Sequence, residues 1–221
     1  MVEYRPSESC CGVSPLFLLP SEDMRAVFAG SPGGLPEAPL IDWAWREFGG
    51  EGLFVDVGAH VGQWTLPFAA AGVPVVAFEP NPPIRALLSA AIRQNGLAVS
   101  LWPFALGAAA GSGHLTAPEI GGGMASIVCE FPGGPVSETV EVRSLDHFSL
   151  APRLLKLDVE GAEVDVLRGA YETIRQNRPV VIFECWEDER GQRTGELFAT
   201  LAEYGYRTER NSWPETWVAY P

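Results

Sequence analysis

The chain reads as an α/β protein with a doubly wound, mostly parallel sheet. Three observations predict it: short runs rich in Val, Leu and Phe recur, helical spacing follows most of them, and acids or glycines stand at the junctions. The 221 residues, 47% hydrophobic and 19% charged, are enough to bury one good core. We expect one globular unit over residues 51–221, with residues 1–50 forming an N-terminal arm and helix packed on it.

Residues 1–40 are rich in Pro, Gly and Ser and carry the apolar run Leu16 to Leu19, which predicts an irregular docked arm with one strand. Ile41, Ala44, Trp45 and Phe48 share one helical face, and Gly49-Gly50 ends that helix. Leu53 to Val57 is a strand that turns at Gly58 and passes Gly62 into a helix. Val73 to Phe78 is a second buried strand. Asn81 is placed as N-cap, with Pro82 and Pro83 in the first turn, then Ile84, Leu87, Leu88, Ala91 and Ile92 at helical spacing and Gly96 as the stop. Leu97 to Leu106 is a third strand.

Residues 107–150 change character. His114–Thr116, Ser126–Cys129 and Thr139–Val142 are short β-like pieces separated by glycine-rich turns, as in a β-hairpin insertion. Leu154 to Asp158 resumes the buried-strand pattern, and one helix carrying Val164, Leu167, Tyr171 and Ile174 follows. Val180 to Phe183 is a fifth strand, Glu196 to Tyr204 a helix stopped by Gly205, and two strands flank Trp213-Pro214.

The charge balance, 15 basic against 28 acidic residues, gives −13, and no window is basic enough to track a phosphate backbone. Nucleic acid is therefore not expected as a partner. No apolar run reaches membrane-spanning length and no leader is recognisable, so we expect a cytoplasmic protein without membrane association, monomeric or homodimeric. Cys10, Cys11, Cys129 and Cys185 show no CxxC spacing and read as free thiols. No His/Asp cluster has ligand spacing, so no metal is expected.

Asp56, Glu79 and Asp158 fall at predicted strand ends, where a sheet of this class binds its ligand. Each alone could cap a helix; three at equivalent places suggest a shared ligand. Glu79 follows Gly58 by about 20 residues, the spacing of an acid that accepts ribose hydroxyls. The turn from Gly58 to Gly62 is G-x-x-x-G rather than G-x-G-x-x-G, and Asp56 stands two residues before its first glycine. A carboxylate there repels a pyrophosphate but attracts an ammonium or sulfonium. S-adenosyl-L-methionine (SAM) carries both cations and a ribose, so it is favoured over NAD. Its carboxylate would use N–H groups near Gly62 to Thr65.

Several motifs in order then carry a resemblance. Phe54 to Thr65, Ala77-Phe-Glu-Pro-Asn81, Asn95-Gly-Leu97, Leu155-Lys-Leu-Asp-Val-Glu-Gly-Ala-Glu163 with its continuation to Ala170, and Pro179 to Glu184 together resemble the FkbM-type SAM-dependent methyltransferases. The resemblance covers roughly residues 50–185. It implies a class I, Rossmann-like sheet of seven strands with the last antiparallel, and methyl transfer mostly to hydroxyl oxygens of small molecules or sugars, with S-adenosylhomocysteine (SAH) as product. By position, Asp56, Gly58 and Gly62 would form the cofactor loop, with His60 where the family more often has Asn. Thr65 would bind the methionine carboxylate, Glu79 the ribose, Asn81, Phe104 and Ala105 the adenine side, and Asp158 the methionine end.

A hydroxyl acceptor must lose its proton, and Asp158 and Glu160 are the preferred bases, ahead of Glu184, His60, His114 and His147. Asp158 could merely contact the cofactor, and Glu160 could merely cap a helix or pair with Lys156. Ser126, Glu184 and Trp186 are candidates for contact with a small-molecule or peptide acceptor. The alternatives are N- or carboxyl-methylation, a non-catalytic SAM-binding module, and a nucleotide-dependent oxidoreductase.

Overall fold

The runs of Val, Leu and Phe become strands wherever both faces are covered, and the computed structural model describes them within residues 1–48, 52–117, 136–185 and 192–221. The chain divides into unit 1, Met1–Pro103, and unit 2, Phe104–Pro221. The main sheet is seven-stranded and mostly parallel, the architecture expected of the doubly wound α/β class.

Unit 1 opens with β1 (Val2–Tyr4) antiparallel to β2 (Phe17–Leu19), whose three residues are fully buried. The predicted irregular arm also contains a helix, α1 (Glu22–Gly30). Ser21 caps it by accepting from the Met24 N–H at 3.2 Å, and Glu22 and Asp23 favour its first turn. Its one buried residue, Phe28, packs edge-on against Tyr4 and Phe17. One apolar contact point in nine residues leaves no periodicity to read, which is why the sequence hid this helix.

α2 (Ala38–Phe48) begins earlier than expected, because Pro39 sits comfortably in a first turn. Leu40, Ile41 and Ala44 are its buried face; Trp45 and Phe48 are half-buried. Then come β3 (Leu53–Val57), α3 (Thr65–Ala70), β4 (Val75–Phe78), α4 (Pro82–Gln94) and β5 (Val99–Trp102), with β3, β4 and β5 paired in parallel in that order. Ile84, Leu88, Ala91 and Ile92 of α4 are buried, each large side chain contributing about 2 kcal/mol. Asn81 does occupy the N-cap position, but its side chain makes no capping bond. Asn95, the C-cap, exchanges two hydrogen bonds with the Leu16 backbone, at 2.8 and 2.7 Å, and so holds the arm down. The strand expected to run to Leu106 stops at Trp102, since Pro103 cannot donate to a ladder.

In unit 2, β6 (Ala105–Leu106) lies parallel to β8 (Val136–Arg143), and β7 (Gly111–Ala117) pairs antiparallel with β8. This is the expected hairpin; its predicted piece at 126–129 lies outside the described residues. β9 (Pro152–Leu157) pairs in parallel with β10 (Val180–Glu184), and β12 (Thr216–Tyr220) is antiparallel to both β10 and β11 (Arg207–Arg210). α7 (Gln192–Glu203) ends before Gly205, whose φ is +75°.

The single helix predicted through Val164 and Ile174 is instead two, α5 (Glu163–Gly169) and α6 (Tyr171–Asn177). Tyr171 is 45% exposed and meets Tyr204 edge-on, so it is not on the core face.

Cys10, Cys11 and Cys185 are buried free thiols, and Cys129 lies outside the described residues. The Cys10 and Cys11 sulfurs are 3.9 Å apart; the hydrogen bond shared with Cys10, then burial, pushes the Cys11 thiol up and keeps it protonated. Among the described residues no helix is long and apolar enough to cross a membrane.

Candidate functional site

The turn after β3 is built from the backbone outward. Gly58 and Ala59 both donate their N–H groups to the Phe78 carbonyl at 3.0 Å, and Gly62 donates to Ala59 at 2.8 Å. Gly58 and Gly62 have φ of +83° and +90°, where a side chain is disfavoured. At Gly62 an added Cβ would lie 2.5 Å from Leu88 Cδ1 and 2.9 Å from Leu66 Cγ. This glycine is therefore needed for seating the turn on α4, a role its spacing did not reveal.

Asp56 lies one residue inside β3 rather than at its end, and is buried. Thr65 Oγ1 donates to Asp56 Oδ2 at 2.6 Å. The single hydroxyl proton is thus committed to Asp56, and an anionic ligand group here would have to draw on other donors. Thr65→Val is expected to lower stability by about 1–3 kcal/mol through the lost donor to a buried carboxylate, while Thr65→Ser keeps most of it. Urea denaturation of the two variants measures the difference.

Glu79 stands just past β4 with 5% exposure. Its two oxygens are held separately: the His60 N–H donates to Oε2 and the Asn81 N–H to Oε1, both at 2.8 Å. Burial pushes its pKa up to about 7; the N–H groups of Asn81 and His60 and the Arg85 cation pull it back, and nearby Asp56 adds a further upward push. Arg85 Nη1 donates to the Glu79 and Pro80 carbonyls. The result is a rigid acceptor pair with spare lone pairs, suited to a vicinal diol.

This geometry explains His60. Its φ is +49°, in the left-handed region, and its N–H is aimed at Glu79. Asn and His are among the few non-glycine residues enriched there, so a histidine meets what the backbone at this position requires.

Sequence reasoning missed Glu37. It is 9% exposed, and its Oε2 accepts from both Gln63 Nε2 and Trp64 Nε1, the latter at 3.1 Å. An acid ahead of a helix reads as a cap, and nothing in the sequence ties it to residues 63 and 64.

In unit 2, Asp158 follows β9 and accepts from the buried Lys156 Nζ at 2.8 Å. Glu160 adopts φ +53° and Gly161 φ +101°. Glu163 Oε1 accepts from the N–H groups of Val159 and Gly161, and burial pushes its pKa up against those N–H bonds. Lys156, considered as a partner for Glu160, donates to Asp158, and Glu163 caps the loop through these two N–H groups. Sequence reasoning assigned no role of its own to Lys156 and none to Glu163. Glu184 closes β10 half-buried, opposite Thr216 of β12.

Phe104 meets Phe148 at 5.8 Å and lies under the Arg143 guanidinium, while the Ala105 side chain packs with Leu115, Val140 and Val142. His114 is exposed on β7, and His147 is exposed with its ring edge-on to Phe148. Ser126 and Trp186 lie outside the described residues.

Residues 56–208 match the Methyltransferase FkbM domain family, a span that starts at Asp56 and takes in Glu79, Asp158 and Glu160. The chain belongs to the FkbM methyltransferase domain family. No curated protein matches its sequence. Among solved structures, a methyltransferase FkbM from Methylobacillus flagellatus KT is 18% identical with a TM-score of 0.57, covering 77% of this chain and 44% of its own. A 16S rRNA N2 G1207 methyltransferase from T. thermophilus, in complex with AdoMet and guanosine, is 16% identical with a TM-score of 0.53, covering 100% of this chain and 50% of its own. A putative O-methyltransferase from Klebsiella pneumoniae is 11% identical with a TM-score of 0.51, covering 82% and 77%. These likenesses show the fold. The FkbM-family chain spans about half the length of the first two.

Proposed function

We propose that the chain transfers a methyl group from S-adenosyl-L-methionine to a hydroxyl oxygen of a small molecule, sugar or natural product, as a cytoplasmic monomer or homodimer. The observation that carries this reading is Glu79, a buried carboxylate with each oxygen fixed by a backbone N–H inside the family-matched span. Those oxygens accept from the two ribose hydroxyls, and Asp56 supplies negative charge toward the cationic end of the ligand. The net charge of −13 supports a neutral or cationic acceptor over a nucleic acid.

The bound cofactor supplies a methyl on a sulfonium that leaves as a neutral thioether. The chain's own residues have to align the acceptor and take up its proton. We assign that proton to Glu160 or Asp158, the two carboxylates that follow β9, Asp158 accepting from the Lys156 ammonium through one oxygen.

Calorimetry is expected to show binding of both SAM and SAH, followed by turnover of labelled SAM with at least one hydroxylated metabolite. Glu160→Gln should leave SAM affinity nearly intact and, where Glu160 takes the proton, lower turnover by about 10²-fold or more. Absence of SAM and SAH binding would overturn the cofactor reading, and unchanged turnover in the variant would remove Glu160 from the reaction.

A further inference from the structure

We propose that Glu37, which precedes the family-matched span, is a cofactor-holding residue whose Oε1 binds the α-ammonium of the methionine tail. The inference rests on the SAM reading above and deepens it.

The carboxylate is lopsided. Gln63 Nε2 and Trp64 Nε1 both donate to Oε2, while Oε1 is buried and has no hydrogen-bond partner among the described residues. A residue serving only to brace the turn would gain by dividing its two donors between its two oxygens. Crowding both on one oxygen leaves the other desolvated and bare, which is costly unless something else supplies a donor. The missing donor belongs to a ligand.

The neighbours narrow the ligand group. Gln63 and Trp64 are the two residues before Thr65, whose hydroxyl is committed to Asp56, so Glu37 is anchored to the same short stretch that shapes the turn. The ribose hydroxyls already have their acceptor in Glu79. A sulfonium carries no proton to donate. What remains on the cofactor as both donor and cation is the amino group of its methionine tail, with three N–H bonds and a full positive charge to set against the carboxylate. The side chains of Gln63 and Trp64 hold Glu37 in place before the ligand arrives, which reduces the ordering required on binding.

The test compares ligands that differ in the tail alone, on the full chain by calorimetry. SAH carries the ammonium; its deaminated analogue keeps the carboxylate but lacks the amine; 5′-methylthioadenosine lacks the whole amino-acid tail. The wild-type chain is expected to prefer SAH to the deaminated analogue by at least tenfold. Glu37→Gln should erase that preference, lower SAH affinity by 10- to 100-fold, and leave methylthioadenosine affinity unchanged. Equal binding of SAH and its deaminated analogue by the wild-type chain overturns the proposal without any variant, even if Glu37→Gln does not fold. A parallel loss of SAH and methylthioadenosine binding in the variant also overturns it, since that marks general damage to the turn. If the wild-type chain binds neither SAM nor SAH, the cofactor reading fails and Glu37 with it; if it binds them and the variant matches it, only the Glu37 assignment fails.

Discussion

Gly169→Ala is expected to yield little folded protein. A Cβ at Gly169 would lie 2.0 Å from the Gly107 carbonyl oxygen and 3.2 Å from Ser144 Cβ, and the first of these is backbone that no side-chain rotation can relieve. Gly107 cannot easily retreat, since its own N–H donates to the Arg143 carbonyl at 3.0 Å next to the β6–β8 pairing. Either α5 or the end of β6 must move, and overpacking that displaces backbone costs several kcal/mol. That is a large share of the roughly 5–15 kcal/mol holding a typical domain together. Gly195→Ala is the control, because nothing lies within 4 Å of its added Cβ and it sits inside α7. It should leave stability unchanged or raise it by about 0.5–1 kcal/mol. Soluble yield and thermal melting of the pair decide the matter: a Gly169→Ala protein melting within a degree or two of the wild type would refute the packing argument.

The second large effect concerns Glu79 and has opposite signs for binding and stability. Glu79→Ala is expected to weaken SAM binding by about 1–3 kcal/mol through the ribose hydroxyls. With a pKa near 7 in the ligand-free chain, raised first by burial, the carboxylate loses half its charge at neutral pH. A protonated Glu79 accepts the diol poorly, so SAM affinity should fall as pH drops through about 7, and binding at pH 7 should release about half a proton per ligand. Stability runs the other way. Because the folded pKa lies above the unfolded value, the favourable contribution is fully present below the unfolded value near 4.5 and is lost as pH rises through about 7, to the extent of about 3 kcal/mol. Calorimetry in buffers of different ionisation enthalpy should detect proton release in the wild type and none in Glu79→Ala. Affinity that is flat between pH 6 and 8 would contradict the ribose assignment.

What could be read from the sequence follows from how local each cause is. β3, β4, β9 and β10 were legible because burial on both faces selects runs of Val, Leu and Phe. Pro103 was a readable stop that the apolar run on either side obscured. The break between α5 and α6 was not readable, as it accompanies a glycine pressed on a carbonyl far away in sequence. At the site, the spacing from Gly58 singled out Glu79, which the structure shows buried with each oxygen held by a backbone N–H. The two N–H groups that hold Glu79 were invisible, since they depend on a left-handed backbone at His60 rather than on its side chain. Glu37 escaped notice for a related reason: its partners stand 26 and 27 residues away.

The paired hydrogen bonds between Leu16 and Asn95 also set an order of events during synthesis. They join residues 79 apart, so the loop they close spans most of unit 1. β1, β2 and α1 can meet through local contacts while the chain is still growing, yet their anchor does not exist until the end of α4 has left the ribosome. The entropic cost of closing so long a loop falls on that last step. Until then the apolar side chains of β2 lack part of their cover, and the nascent chain passes through an interval in which that strand is exposed to chaperones and to other nascent chains.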